Sequence, residues 1–317
     1  MTTEFFILAA IAGFCYALQG TLLSKYARKF DGFTSSLFRN ASFIITMIPL
    51  LFLAGIDGIV SLQHSWLYLL CSGVFGMIAL SLGFSAHKYL PVAIANSIGQ
   101  LSPLLLFLWT FILINGEIPS LQEFVFVGVV LIGLIILNFS NYNFDHLHKN
   151  TSQGFLFAFL GIAFGSIGII MMVKASEVSD PFAVTYAWEA LIGLFFLMTY
   201  FLKTKYTWPE KENIPELIRV FVGKKDAKFP TKKEALQIAL AASPTIIAST
   251  ILVSIMSAAL QPDVAITPGT ISTIVSAVGA ITGITLAWFL YKEKLSLHHF
   301  IGIFCIVLGV GLMRIFG

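Results

Sequence analysis

GEIPSL at Gly116–Leu121 and KEKLSL at Lys292–Leu297 are two versions of one pattern. The surrounding stretches, ILINGEIPSLQEFVFVGVVLIG (Ile112–Gly133) and WFLYKEKLSLHHFIGIFCIVLG (Trp288–Gly309), align at a constant offset of 176 residues. Glu117 falls on Glu293, Ser120 on Ser296, Leu121 on Leu297, Phe124 on Phe300 and Gly133 on Gly309. In each copy an apolar run ends at a Glu, a Ser follows, and a second apolar run begins. Earlier in the chain the offset is 149: Lys25 falls on Lys174, Asp31 on Asp180 and Phe33 on Phe182. The offset then grows by 27, which fits an insertion in the second half at Lys203–Glu234.

The apolar runs set the fold class. Of 317 residues, 57% are hydrophobic and 11% charged, against about 25% charged in a soluble domain. A bilayer crossing needs about 20 mostly apolar residues. Ten such runs are predicted, at 5–24, 33–55, 65–88, 91–114, 122–139, 154–173, 181–202, 235–260, 263–291 and 297–316. The expectation is an all-α integral membrane protein. Its ten transmembrane helices form two five-helix repeats, 1–140 and 154–317, joined by a polar linker at 141–153. Because five is odd, the second copy enters the membrane inverted, an architecture that recurs in secondary transporters.

Charge placement agrees. Sixteen of the 19 Lys and Arg lie in or beside the odd-numbered loops; Lys174 and Arg314 lie on the opposite side, and Arg39 lies inside a helix. By the positive-inside bias this puts the odd loops in the cytoplasm and both termini outside a cytoplasmic (inner) membrane. The net charge of +3, spread over short loops, offers no face for nucleic acid. MTTEFF at the start has neither a basic n-region nor a following cleavage site, so the first run reads as a retained helix. Cys15, Cys71 and Cys305 all lie in apolar runs and read as packing residues, with no disulfide framework or zinc site expected.

These features together resemble the drug/metabolite transporter superfamily, and EamA-type members in particular. SKYARKFDGFTSSLFRN (Ser24–Asn40) resembles that family's passage from first to second helix. AHKYLPVAIANSIGQLSPLLLFLWTFILINGE (Ala86–Glu117) resembles its third-to-fourth helix passage, with a mid-helix Pro before the Glu. The resemblance spans the chain except 203–234 and implies a metabolite transporter, commonly an exporter. It also implies cytoplasmic termini, against the charge count. In the second half Gly279 stands where Pro103 stands in the first, and Trp188 stands where Arg39 stands.

Charged side chains at membrane depth are costly and so mark candidate sites. Arg39 sits about 9 Å into the second run, and Glu189 about 10 Å into the seventh from the opposite side. In a core about 30 Å thick this leaves roughly 10 Å of depth between their backbones. The gap suits a small zwitterion, Arg39 taking its carboxylate and Glu189 its amine. A buried Glu189 without a fixed partner is also the candidate for proton coupling. Arg39 reads otherwise as a structural residue that snorkels or pairs with a helix end.

Asn96 and Gln100 share a face ahead of Pro103, where a helix break would free backbone toward a cavity. Thr270 and Thr273, with Thr267 and Ser276, form a hydroxyl stripe after a second candidate break at Pro268. Both helices read equally as small-residue packing surfaces. Tyr16, Gln19 and Tyr186 complete the candidate substrate set. Glu117 and Glu293 read as interfacial residues beside Ser120 and Ser296, which N-cap the next helices. DHLH (Asp145–His148) reads as solvated linker, and IPELIRVFV within the insertion (Ile214–Val222) as a helix lying on headgroups.

No phosphate-binding G-x-x-x-x-G-K-[ST] is present, so ATP is not the expected energy source, and no cofactor is predicted. The leading expectation is a secondary transporter of small polar or amphipathic, amino-acid-like metabolites, acting as a monomer or homodimer. Its rivals are an integral-membrane enzyme, a channel and a non-transporting scaffold.

Overall fold

Every apolar run coincides with a helix or a pair of helices in the computed structural model, which describes residues 3–90, 92–99, 101–113, 121–139, 151–205, 229–261, 267–292 and 296–316. The first half contains α1 (Thr3–Lys29), α2 (Gly32–Thr46), α3 (Ile48–Ser61), α4 (Trp66–Ala86), α5 (Val92–Gly99), α6 (Ser102–Leu113) and α7 (Leu121–Phe139). The second contains α8 (Thr151–Val178), α9 (Pro181–Lys205), α10 (Lys232–Ala242), α11 (Pro244–Ala258), α12 (Pro268–Tyr291) and α13 (Leu297–Phe316). No strand occurs among the described residues. Among the described residues, six helical stretches are each long and apolar enough to cross a membrane, or seven if the bent pair α2–α3 counts as one.

Three runs predicted as continuous are broken, and proline chemistry explains each break. Pro49 and Pro244 lie in the first turns of α3 and α11, where a missing N–H costs nothing but the preceding helix cannot continue through the ring. Pro103 does the same at the start of α6. The second run is also longer than predicted: α3 continues to Ser61, turning at Gly55 with φ 69°, the one positive-φ glycine among the described residues. α8 begins at Thr151, inside the predicted linker, and the charged insertion is helical at both edges, in α9 and α10.

The matched aspartates have matched roles. Asp31 accepts from the backbone of Thr34 at the start of α2 (2.6 Å). Asp180 accepts from Phe182 (2.9 Å) and Ala183 (3.0 Å) at the start of α9. The Asp180 turn is further clasped to the α3–α4 connection: Ser179 Oγ donates to the Ser61 carbonyl (2.8 Å), and the Asp180 amide donates to Ser61 Oγ (3.0 Å). Asp180→Ala is expected to cost about 0.5–2 kcal/mol of stability, read as a lowered melting temperature in detergent, and Asp180→Asn to recover most of it.

The tightest helix pairs join the two halves: α4 with α8, α7 with α13, α1 with α12 and α11, and α2 and α3 with α9. The α2–α9 crossing lies in the largest buried cluster, which includes Phe33, Leu37, Trp188, Ile192 and Phe196. It is here that the two buried charges meet.

Candidate functional site

Arg39 and Glu189 lie on α2 and α9, and both are almost fully buried, at 4% and 2% exposure. They touch: Arg39 Nη1 lies 3.4 Å from Glu189 Oε2. The vertical gap expected between them is therefore closed. The α2 and α9 backbones themselves come close here, the Asn40 carbonyl oxygen lying 2.7 Å from where a side-chain carbon at Gly193 would sit.

The carboxylate is held from two helices, α2 and α11, with α1 joined through Ser249. Asn40 Nδ2 donates to Glu189 Oε2 (3.1 Å). Ser249 Oγ, on α11, donates to Oε1 (3.0 Å) and lies 3.2 Å from the Tyr16 hydroxyl on α1. The guanidinium also donates to Asn40 Oδ1 (2.7 Å) and sits 4.8 Å over the Phe43 ring. Its buried Nε has no hydrogen-bond partner among the described residues. Next to this cluster, Thr245 of α11 donates to Gln19 Oε1 of α1. The cluster is net neutral, which is what lets it persist where a single buried charge could not.

The other predicted residues lie apart from the pair. Tyr186 donates to the Ile44 carbonyl at 3.2 Å, across the same α2–α9 seam. The described hydrogen bonds of the hydroxyl stripe stay within α12: Thr267 caps Thr270 (3.2 Å), and Thr273 donates to the Gly269 carbonyl (2.8 Å). Pro268 opens α12 rather than interrupting a helix, whereas Pro103 marks a real break, with α5 ending at Gly99. Gln100, Glu117, Ser120, Glu293, Asp145–His148, Ile214–Val222 and the side chain of Asn96 lie outside the described residues.

Comparison with known proteins adds a family to this geometry. Residues 5–139, which hold Tyr16, Gln19, Arg39 and Asn40, match the family described as EamA-like transporter. That stretch, just under half of the chain, is similar to an EamA-like transporter unit. The match agrees with the class that the sequence motifs resembled, and the long apolar helices fit a multi-pass membrane protein. Among 28 matching chains of known structure is one crystal structure at TM-score 0.64 and 17% identity, covering 96% of each chain. That similarity shows a shared fold. No curated protein matches.

The EamA-like unit contains one residue that sequence reasoning passed over. Asn40 stands 149 residues before Glu189, the same offset that pairs Lys25 with Lys174, and the signal lay in the same alignment that paired Arg39 with Trp188. Ser249 and Thr245 are four apart on one face of α11. They were hidden in an apolar run where hydroxyls usually bond their own helix, as Thr250 does to the Ile246 carbonyl.

Proposed function

We propose that this EamA-like protein is a secondary transporter working by alternating access, built as ten crossings in two inverted five-helix halves, with its substrate site at Arg39 and Glu189. The observation that carries the reading is the buried, charge-balanced pair at the crossing of α2 and α9. In a two-fold arrangement only residues beside the axis touch their own partners. Asn40 and Glu189 do so. The α7–α13 contacts also come in exchanged pairs, Gly133 with Ile306 and Val130 with Gly309.

The substrate is a small zwitterion of the amino-acid type, or an amphipathic relative. Its carboxylate takes the guanidinium, including the unused Nε, and its amine takes the carboxylate with Ser249 and Asn40. A net-neutral ligand leaves the charge balance of the site intact, whereas a net ion would bury an uncompensated charge. Tyr16 and Gln19 border the pair, and Tyr186, Asn96, Gln100, Thr270 and Thr273 are the remaining candidates for the cavity wall. The direction is export across the cytoplasmic membrane. Arg39, Asn40 and Ser249 hold Glu189 in the closed pair, so proton exchange at this carboxylate requires substrate to draw Arg39 away; collapse of the pH gradient in loaded vesicles is then expected to slow efflux, and unchanged efflux removes proton coupling from the mechanism.

The test is the melting temperature of purified protein against amino acids, their decarboxylated amines and their esters. A true ligand at a hundredfold excess over its Kd stabilises the fold by about 2.7 kcal/mol. Zwitterions are expected to shift the wild type and to leave Arg39→Ala and Glu189→Gln unshifted. Equal shifts in the variants would sink the assignment of the site.

A further inference from the structure

Two helix seams occupy equivalent places in the proposed repeat and are built from opposite chemistry. Exchange of halves turns α1 into α8 and α4 into the α10–α11 pair, so the seam of α1 with α10–α11 corresponds to the seam of α8 with α4. The α4–α8 seam is a small-residue zipper. Gly161 faces the Gly83 amide and the Ala79 carbonyl, and Gly168 faces the Gly76 amide and the Ser72 carbonyl. Ser72 Oγ donates to the Gly168 carbonyl (2.6 Å), and Phe75 stacks on Phe164 (6.0 Å between centroids). Backbones this close are held by dispersion over their whole length, and parting them gains nothing in return.

The α1 seam is tied by side chains. Lys29 pairs with Glu234, and the Tyr26 hydroxyl donates to Gln237 Oε1 (3.0 Å). Deeper in, Gln19 accepts from Thr245, and Tyr16 meets Ser249 (3.2 Å), which donates to Glu189. Side-chain ties of this kind can be traded for water or for a polar ligand at little net loss. From Lys29 to Tyr16 the ties descend α1 by thirteen residues, about 20 Å at 1.5 Å per residue. They run from the charged end of the bundle to the buried carboxylate.

We infer that the seam of α1 with α10–α11 is the route by which a polar substrate passes between Glu189 and the end of the bundle marked by Lys29 and Glu234, while the α4–α8 seam stays shut. This rests on the transport reading of the site. The route uses exchangeable partners at each step: the Tyr26–Gln237 pair, then Gln19–Thr245, then Tyr16–Ser249. A polar solute moving along it replaces one partner at a time and leaves no group unsatisfied.

The experiment needs no substrate, so it is decided separately from the metabolite screen. In full-length protein with Cys15, Cys71 and Cys305 replaced by Ser, single cysteines are placed at Ser249 and at Ser72. A membrane-impermeant methanethiosulfonate is applied to oriented vesicles from either side. Ser249→Cys is expected to be labelled from the Lys29 side at least about tenfold faster than Ser72→Cys, since labelling reports opening of the seam that covers each site. Gln19→Cys serves as a second reporter from the facing wall and keeps the test open if Ser249→Cys does not fold. Equal rates at the two seams, labelling only from the opposite side, or no labelling at Ser249 and Gln19 would overturn the route.

Discussion

Arg39→Ala is expected to destabilise the protein by about 3–5 kcal/mol, because it leaves the Glu189 carboxylate buried with its counter-charge gone. The carboxylate would keep Asn40 and Ser249 as donors, but neither supplies positive charge. Glu189→Ala is expected to cost a similar amount by stranding the guanidinium, which is 4% exposed and keeps, among the described residues, Asn40 alone as a side-chain hydrogen-bond acceptor. Arg39→Met with Glu189→Met removes both charges and is expected to melt well above either single variant, since an apolar pair of similar volume avoids the desolvation cost. A double variant that melts below both singles would show that the pair is not coupled as its geometry implies. Ligand-induced stabilisation is expected to vanish in all three, which separates the binding role of the pair from its structural one.

Gly302→Val is expected to cost about 1–3 kcal/mol through overpacking. A side-chain carbon at Gly302 would lie 2.5 Å from Leu137 Cγ and 2.8 Å from the Gly133 carbonyl oxygen. The first obstacle can rotate away, but the second is backbone and can move only if α7 and α13 part. Gly133→Val meets the Gly302 carbonyl at 2.7 Å and should behave alike. Gly128→Val on the same helix meets nothing within 4 Å and is the control. Melting temperatures of the three in one detergent check the ordering. A Gly128 variant as damaged as the other two would point to helix propensity rather than contact.

The sequence echo was legible because its markers answer to local chemistry. Asp31 and Asp180 cap helices where the chain turns, and the apolar runs coincide with helices, of which six or seven among the described residues are long and apolar enough to cross a membrane. The breaks at Pro49 and Pro244 were present in the sequence but were overridden by run length, since hydropathy does not register a missing N–H. The site was half legible. Arg39 and Glu189 stand out because charge at depth is rare. Their contact could not be read, because it depends on which helices cross and on how far two long side chains lean. Ser249 and Thr245 were illegible for a related reason: a hydroxyl in an apolar helix is silent until a partner on another helix is known.

The bend between α2 and α3 has a consequence for the membrane itself. Fifteen residues of α2 and fourteen of α3 would make a straight rod of about 43 Å at 1.5 Å per residue, well beyond a hydrocarbon core of about 30 Å. Neither piece alone is long enough to cross. The 54° angle between them shortens the length projected along α2, and the turn at Gly55 inside α3 shortens it further. The surplus is laid sideways, where Phe52, Leu53 and Ile56 face outward. A thinner or thicker bilayer can therefore be met by changing one angle, without stretching α2 or shifting Arg39 along it.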